Sequence, residues 1–308
     1  MSSNNTQKPL VSVIMPSYNH VDFLEERLQS ILQQSYQDFE LIILDDCSTD
    51  NSMEVIRKYA DDPHVTHVIR NDKNSGSPFK QWYKGITLAQ GDIIWIAECD
   101  DCCSLDMLER LVRMYQQYDC SFAFARSKVV NEKGEVQYIS QRQFKRDGHW
   151  DGQTFIKKYL CLSNTVRNAS SVIFSKQNAL SISKEFMEYK ESGDWVFWTD
   201  MALKGNVAVI AEPLNKFRVY AESNTSKTSK SGKLDKEDKR VFDRLKTKGL
   251  MPCTTSFIKQ KRMAKRILRG GVIYANEEVR QEVKNIWNLS PIYYVLGHLA
   301  IKFHQLFK

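Results

Sequence analysis

The sequence has no long hydrophobic run and no leader of the secretory kind. Residues 1–8 are polar, and the first apolar run, Val11 to Met15, is too short for the core of a signal peptide. No stretch of the 308 residues supplies the roughly 20 apolar positions that a membrane-spanning helix needs. Seven cysteines, an odd number without a leader, are typical of reduced thiols. We therefore expect a cytoplasmic protein.

The sequence also lacks the motifs of three other kinds of protein. Cys99 and Cys102 form one C-x-x-C spacing, but no second cysteine or histidine pair follows at ligand spacing, which disfavours a structural zinc. A sugar-nucleotide pyrophosphorylase would carry a Gly-rich, basic loop after its first strand, where this chain reads Pro16-Ser17-Tyr18-Asn19. No recognised nucleic-acid-binding module is present, so no nucleic-acid partner is expected.

Charge is divided unevenly along the chain. Residues 221–308 hold 19 Lys/Arg and 8 Asp/Glu, a net of +11, whereas residues 1–220 have a net of −4. An acidic body with a basic C-terminal segment indicates an anionic partner for that segment, or else a solvated helical face. The composition alone does not decide between these two interpretations.

The first 130 residues alternate between short apolar runs and amphipathic helical patterns. The runs are rich in β-branched residues, as expected for strands that are buried on both faces. The predicted strands are Val11–Met15, Phe39–Leu44, Val65–Ile69 and Ile93–Ala97. Strand–helix alternation of this kind predicts an α/β fold with a mostly parallel sheet flanked by helices. In such sheets ligands bind beyond the carboxyl ends of the strands.

Acidic residues follow two of the predicted strands at their carboxyl ends. Asp45 and Asp46 follow the second strand, and Glu98, Asp100 and Asp101 follow the fourth. Clustered acids repel one another unless a cation offsets their charge, and a hard divalent ion shared with substrate phosphates would do so. Capping of the following helix is the structural alternative for these acids.

A further acid precedes a strongly apolar helical run. Asp194, in the sequence Ser192-Gly193-Asp194-Trp195, is either the N-cap of that helix or a general base beside the same crevice. Downstream, Arg218 offers a guanidinium group, which is suited to binding a diphosphate.

Taken together, these segments resemble glycosyltransferase family 2, a large inverting family with the GT-A fold. The resemblance is carried by VSVIMPSYNHVDFLEERLQSILQQSYQDFELIILDDCSTDNS, then NSGSPFKQWYKGITLAQGDIIWIAECDD, then ESGDWVFW. It is dense over residues 10–115, sparser over 165–225 and absent from about residue 240 onward.

The resemblance implies an inverting transfer of a sugar from a nucleotide-diphosphate sugar, expected to be a UDP-sugar, to an acceptor hydroxyl in cell-surface polysaccharide synthesis. It implies that Asp194 is the general base and Asp100 the direct ligand of a divalent metal, Mn²⁺ or Mg²⁺. The implied donor-binding positions are Pro16, Ser17, Tyr18, Asn19, Asp45, Asp46, Glu98 and Arg218, with Tyr18 against the base and Asp46 in contact with it. Glu98 replaces the usual first Asp of the family motif, and Tyr220 stands where many members carry His.

We divide the chain into a catalytic domain (residues 1–225), a polar linker or loop (226–240) and a basic helical C-terminal extension (241–308). Apolar residues after Pro291 recur at helical spacing on one broad face. This face is expected either to contact the inner surface of an anionic membrane or to pack on the catalytic domain or a second subunit, as in a homodimer. The acceptor is expected to be a glycan or a lipid-linked molecule. A non-catalytic nucleotide-sugar-binding module is the alternative, which the presence of both Asp100 and Asp194 disfavours.

Overall fold

The computed structural model describes residues 11–220, 230–268 and 274–289, together with 292, 295–297 and 299. The N-terminal part alternates strands and helices as the sequence predicts. Its elements are β1 (Val11–Ser17), α1 (Val21–Leu32), β2 (Phe39–Asp45), α2 (Ser52–Arg57), β3 (Val65–Arg70), α3 (Pro78–Leu88) and β4 (Ile93–Ile96).

The remainder of the described residues completes the sheet and adds further helices at the C-terminal end. The next elements are β5 (Cys102–Cys103), α4 (Met107–Gln117), β6 (Cys120–Val130), β7 (Val136–Ile139), β8 (Gly148–Trp150), α5 (Gly152–Phe155), β9 (Val172–Ser175), α6 (Lys176–Ser181), α7 (Gly193–Ala202) and β10 (Asn206–Arg218). They are followed by α8 (Lys233–Thr247), α9 (Cys253–Leu268) and α10 (Glu277–Ile286).

The described strands form one sheet in the order β3-β2-β1-β4-β9-β6-β10-β5, with β7 beside β6 and β8 beside β10. The strands β1 to β4 are parallel to their neighbours within that group, as predicted. The sheet becomes mixed beyond β4, because β9 runs antiparallel to both β4 and β6. The α/β architecture of the prediction is therefore confirmed, with a parallel N-terminal half and a mixed C-terminal half.

Two hydrophobic clusters cover the two faces of the sheet. Successive side chains of a strand point to opposite faces. Accordingly Ile14 belongs to one cluster, while Val13 and Met15 belong to the other. All seven residues of β1 and all seven of β2 are buried, which explains why apolar residues occur on both faces of these strands.

Helix α8 begins within the segment that the sequence analysis assigns to a polar linker. Residues 233–240 are helical, and the part of the linker at 226–229 lies outside the described residues. The helix forms because its apolar residues find partners on two sides. Val241 and Leu245 join the core of the sheet, whereas Phe242 packs in a separate cluster with residues of α9 and α10. Tertiary packing stabilises this helix, although its Lys- and Asp-rich composition is typical of a polar loop.

No helix in the described residues is long and apolar enough to cross a membrane.

Candidate active site

The predicted site residues that follow β1, β2 and β4 converge because β1 lies between β2 and β4. Parallel pairing places Ser17 opposite Asp45, and Ile14 opposite Ile96. Hydrogen bonds continue the pairing past the strand ends, since the Ala97 amide donates to the Ile14 carbonyl at 2.8 Å. The carboxyl ends of β1, β2 and β4 therefore form a single edge of the sheet, which is where a ligand of an α/β sheet binds.

The turn after β1 is held against the turn after β2. The side-chain oxygen of Asn19 accepts a hydrogen bond from the Thr49 amide at 2.7 Å, and the Asn19 amide donates to Ser48 Oγ at 3.0 Å. Asn19 and Cys47 have φ values of 54° and 66°, in the left-handed region that non-glycine residues seldom adopt. Such backbone strain is often found at functional sites. Next to this turn the Tyr18 ring is exposed, at 44%.

Asp46 organises the loop that leads to α3. Its carboxylate accepts hydrogen bonds from the side chains of Asn71 and Gln81 at 2.6 and 2.9 Å, and from both the amide and the hydroxyl of Ser75. Asp46 is 6% exposed. Its oxygens are thus already engaged by protein donors. The contact to a nucleotide base that the resemblance implies for Asp46 stays a prediction.

Asp45 differs from its neighbour in having an acceptor atom without a partner. Its Oδ2 accepts from the Ser48 amide at 3.0 Å and lies 3.5 Å from Nε of Arg70. Its Oδ1 and the Oγ of the adjacent Ser17 are buried and have no hydrogen-bond partner among the described residues. Buried polar atoms in this state are uncommon in proteins. The pair consequently offers one acceptor and one hydroxyl at the strand edge.

Burial raises the pKa of each of the three acids after β4, and charges of neighbouring acids add to the shift for Glu98 and Asp101. Burial raises the pKa of Glu98 to about 8, and the charges of Asp100 and Asp101 add to this effect. Burial also raises the pKa of Asp100, against the opposing charges of Arg27 and Arg218. Glu98 is fixed in place by Trp82 of α3, whose indole N–H donates to Oε1 at 2.7 Å. The edge of the sheet is accordingly a place where a cation would be stabilised.

Asp101 is a structural residue of this acidic cluster. Its Oδ2 accepts hydrogen bonds from Ser170 Oγ at 2.6 Å and from Asn168 Nδ2 at 2.8 Å, and its Oδ1 accepts from the Arg218 amide at 3.0 Å. Burial and the charge of Asp100 raise the pKa of Asp101 to about 6. This carboxylate ties the end of β4 to the segment before β9 and to the end of β10.

The structure holds the Arg218 guanidinium by protein groups. Nε donates to the Asp100 carbonyl at 2.9 Å, Nη1 to the Glu132 carbonyl at 2.7 Å, and Nη2 to the Glu26 carboxylate at 2.7 Å. The group also stacks 4.6 Å from the Phe23 ring centroid, and Arg218 is 4% exposed. This arrangement disfavours the diphosphate contact that the sequence predicts for Arg218. The reason is that acceptors from three parts of the chain already surround the cation.

His20 and Tyr220 close the same edge from the other side. Nε2 of His20 lies 2.7 Å from the Tyr220 hydroxyl, and Nδ1 lies 3.1 Å from Cys99 Sγ. Burial lowers the pKa of His20, which favours the neutral ring. A hydrogen bond from Tyr220 also stabilises the Asp100 carboxylate. The tyrosine that replaces the family's usual histidine therefore contacts the predicted metal ligand.

Asp194 lies in the first turn of α7 and is not its N-cap. Ser192 occupies the cap position, so the capping interpretation of Asp194 is wrong. Oδ2 of Asp194 accepts a hydrogen bond from Asn164 at 2.6 Å, and Oδ1 accepts from the Trp195 amide at 2.7 Å. Burial raises the pKa of Asp194 to about 7, and the charge of Asp238 contributes. A carboxyl group with such a pKa is suited to proton transfer near neutral pH.

The donor set at the strand edge fits a divalent cation that is shared with a ligand. Among the residues that the structure describes, no three His, Cys, Asp or Glu side chains converge to hold a metal ion. A Mg²⁺ or Mn²⁺ ion is nevertheless commonly held by one or two carboxylates together with substrate phosphates. Asp100 supplies one such carboxylate, and burial together with the charge of Asp100 raises the pKa values of Glu98 and Asp101.

Several of these contacts were not predicted from the sequence. Asn164, Asn168 and Ser170 stand outside the segments that carry the resemblance, and each reaches its acid from a distant part of the chain. Trp82 lies within one of those segments, but no role was predicted for it. Arg27 of α1 is wholly buried, 5.1 Å from the Trp95 ring centroid, and its charge opposes that of the acids. Its helical position within the apolar face of α1 is the one signal in the sequence that could have indicated it.

The fold and the acidic strand edge are those of a glycosyltransferase. The sequence profile of Glycosyl transferase family 2 matches residues 12–178, and the chain belongs to that family. Solved structures of TarS from Staphylococcus aureus share the architecture. TarS 1–349 in complex with UDP superposes with a TM-score of 0.57 at 18% identity, over 94% of this chain and 90% of that one. The GT-A fold expected from the sequence is confirmed.

Two curated glycosyltransferases are similar to this chain in sequence, over different shares of its length. TuaG of Bacillus subtilis, an inferred teichuronic acid biosynthesis glycosyltransferase, is 27% identical over 258 residues, which cover 83% of this chain and 96% of TuaG. TarS, a poly(ribitol-phosphate) beta-N-acetylglucosaminyltransferase, is 28% identical over 136 residues, which cover 44% of this chain and 23% of TarS.

The hydrogen bonds of Asp46 predict a large stability loss when its carboxylate is removed. Asp46→Ala leaves the donors of Asn71, Ser75 and Gln81 without their acceptor. We expect the free energy of unfolding to fall by about 3 kcal/mol, as for buried hydrogen bonds to a charged group. Denaturant unfolding measures this. The control is Asp72→Ala, at an exposed position of the same loop, and similar losses for both variants would contradict the prediction.

Proposed function

We propose that this chain is an inverting glycosyltransferase that transfers a sugar from a nucleotide-diphosphate sugar to an acceptor hydroxyl during bacterial cell-surface polysaccharide synthesis. The supporting observation, in a member of this family, is that Asp45 and Asp100 follow β2 and β4 at one edge of the sheet. Asp194 lies on α7, whose Phe197 and Trp198 contact Trp82, the residue that donates to Glu98. A UDP-sugar is the proposed donor, because TarS structures of the same fold hold UDP and UDP-GlcNAc. The name of TuaG supports a cell-surface glycan or a lipid-linked molecule as acceptor.

In this proposal the strand edge binds the donor. The buried Oδ1 of Asp45 and hydroxyl of Ser17, which have no partner among the described residues, lie at the strand edge proposed for the nucleoside. The exposed Tyr18 ring can stack on the base. Pro16 and Asn19 fix the turn between them. Glu98, held by Trp82, lies beside the ribose and diphosphate. A divalent ion at Asp100 would supply charge compensation for the departing nucleoside diphosphate.

Asp194 takes the acceptor proton in the proposed reaction. The acceptor oxygen forms a bond to the anomeric carbon from the face opposite to the leaving group. Its proton passes to Asp194, and the bond between the anomeric carbon and the diphosphate oxygen breaks, with the electron pair leaving on the nucleoside diphosphate. This single displacement inverts the anomeric centre and requires no nucleophile from the protein. Asn164 orients the carboxylate for this role.

The metal dependence of donor binding is predicted to depend on Asp100. Asp100→Asn removes the carboxylate charge that would hold the ion, so UDP affinity in the presence of Mn²⁺ should fall at least about tenfold, a loss of about 1.4 kcal/mol. UDP affinity without metal should not change. Calorimetric titration of UDP with and without Mn²⁺ measures both values. Asp92→Asn, at the exposed opposite end of β4, is the control, and unchanged Mn²⁺-dependent affinity of Asp100→Asn would refute the assignment.

The chemical step is predicted to depend on Asp194. Asp194→Asn should bind UDP and Mn²⁺ within twofold of the wild type, yet turn over at least about 100-fold more slowly, because a general base is lost. In the wild type, activity should decrease as pH falls through about 7, since the carboxyl must be ionised to accept a proton. A screen of nucleotide-sugars for UDP release identifies the donor for these assays.

The matched control for Asp194 is Glu188→Gln, at an exposed position just before the same helix. It should retain wild-type turnover and the wild-type pH profile. Near wild-type turnover of Asp194→Asn, with its UDP affinity also unchanged, would show that the carboxylate has a structural role.

We also propose that the enzyme acts in the cytoplasm and touches the inner membrane surface through its C-terminal extension. Ile292, Val295 and Leu299 are helical and 57–58% exposed, at spacings that place them on one side of the helix. The neighbouring Gly297 is buried against α9, where an added Cβ would lie 2.5 Å from Lys261 Cβ. Arg262 and Lys265 of α9 are exposed. Apolar side chains beside exposed cations are typical of a surface that binds anionic lipid.

Vesicle co-sedimentation tests this membrane contact. Val295→Ser with Leu299→Ser should reduce binding to phosphatidylglycerol-containing vesicles at low salt, and wild-type binding should weaken as salt is raised. The matched control is Val136→Ser with Tyr138→Ser, which removes exposed apolar side chains from β7. Equal binding of both double variants, or no binding by the wild type, would show that the face formed by Ile292, Val295 and Leu299 packs on protein, including a second subunit.

A further inference from the structure

The loop in front of Asp194 is held by a carboxylate from the C-terminal extension. Glu237 of α8 accepts hydrogen bonds from the backbone amides of Lys190, Glu191 and Ser192, at 2.9, 2.8 and 2.9 Å. These three amides directly precede the first turn of α7, which carries Asp194. Hydrogen bonds to a charged acceptor are roughly twice as strong as neutral ones. Glu237 is therefore the group that fixes the entry to α7.

A charge pair from the same extension, with a buried lysine and a partly exposed aspartate, lies next to the residues that flank Asp194. Asp238 accepts a hydrogen bond from Ser192 Oγ at 3.1 Å. Its Oδ2 lies 3.6 Å from Nζ of Lys259, a residue of α9 that is only 4% exposed. The same ammonium group lies 4.8 Å from the ring centroid of Trp195, the residue after Asp194. Two C-terminal helices thus contribute one charge each to the surroundings of the proposed base.

Helix α8 also contacts the C-terminal end of α7. Arg244 donates to the carboxylates of Asp200 and Glu185 at 2.6 and 2.9 Å, and Arg244 and Asp200 are both buried. Since Asp200 lies near the C-terminal end of α7, the contacts of Glu237 and Arg244 span the helix. Such a pair of contacts restricts both translation and rotation of α7 against α8.

The backbone at Gly193 is packed too closely against its neighbours to accept a side chain. A Cβ placed on Gly193 would lie 2.4 Å from the Phe186 carbonyl oxygen and 2.5 Å from the Phe79 ring. The backbone next to Asp194 is therefore pressed against the catalytic core, while Glu237 holds it from the outside. The position of the Asp194 carboxylate depends on both supports.

We propose that Glu237 is a positioning residue for the proposed general base, and that the pair Asp238–Lys259 sets the electrostatic environment in which that base works. The C-terminal extension is then part of the transferase site. The basic surface of α9 is a separate feature of the extension. This inference rests on the proposed role of Asp194. It adds that residues far outside the family's matched segment, residues 12–178, control the chemical step.

The variant Glu237→Gln tests the positioning role. The amide retains one acceptor oxygen, but its NH₂ group faces a backbone amide and cannot accept from it. We expect kcat for UDP release from UDP-GlcNAc with Mn²⁺, or from the donor that the screen selects, to fall at least about tenfold. KM for the donor should stay within twofold. Asp243→Asn, on the same helix and paired with Lys239 at the surface, should leave kcat unchanged.

Hydrogen exchange supplies a readout that needs no substrate. Peptides covering Lys190 to Ser192 should exchange faster in Glu237→Gln than in the wild type or in Asp243→Asn, because those amides lose an acceptor. Unchanged exchange together with unchanged kcat would overturn the positioning role. If Asp194→Asn itself retains activity, the proposed role of Asp194 as general base has failed, and the exchange result still reports whether Glu237 holds the loop.

The pH profile tests the charge pair. The charged groups that the neighbouring C-terminal helices place here are Asp235, Glu237 and Asp238 of α8 and Lys259 and Arg266 of α9. Asp238 contributes to the raised pKa of Asp194, so Asp238→Asn removes a negative charge and favours the ionised form of Asp194. The acidic limb of the kcat profile should therefore move to lower pH, whereas in Asp243→Asn it should not move. An unshifted limb in Asp238→Asn would overturn the electrostatic part of the proposal.

Discussion

The carboxylate of Asp101 is the interaction on which the strand edge depends. It is 2% exposed and joins three stretches of chain, the end of β4, the segment before β9 and the end of β10. Removing a buried charge from water is costly, and these hydrogen bonds offset that cost. Because Arg218 also donates to the Asp100 carbonyl, the same group of contacts fixes the backbone of the neighbouring residue that the proposed metal requires.

The parallel half of the sheet and its acidic edge could be predicted from the sequence. The reason is that both follow from local patterns, the β-branched apolar runs of β1 to β4 and the acids directly after Leu44 and Ala97. The partners of those acids could not be predicted in this way. Asn164 and Asn168 lie in irregular segments without a motif, and they reach Asp194 and Asp101 only once the chain has folded. The first half of α8, residues 233–240, was missed because its stability comes from packing against distant residues.

The structure also redistributes roles among residues that the sequence places together. Asp45 and Asp46 are adjacent in the motif, yet Asp46 is surrounded by protein donors while Asp45 retains an acceptor without a partner. Arg218 has the guanidinium group that a diphosphate would favour, but this group already donates hydrogen bonds to Glu26 and to backbone carbonyls. In both cases the residue type indicates the chemistry that is available, and the three-dimensional neighbours determine whether it is used within the protein or offered to a ligand.

The packing of Val241 and Leu245 has a consequence for how the molecule unfolds. These side chains of α8 belong to the same hydrophobic cluster as Ile14 of β1 and Phe197 of α7. A composition boundary near residue 225 therefore does not separate two cooperative units, since the cluster that covers one face of the sheet is completed from beyond it. The catalytic part and α8 share one folding transition. A shortened chain that ends before α8 would expose the apolar face of its own core. It would therefore be less stable than the full chain, whether or not its catalytic residues were intact.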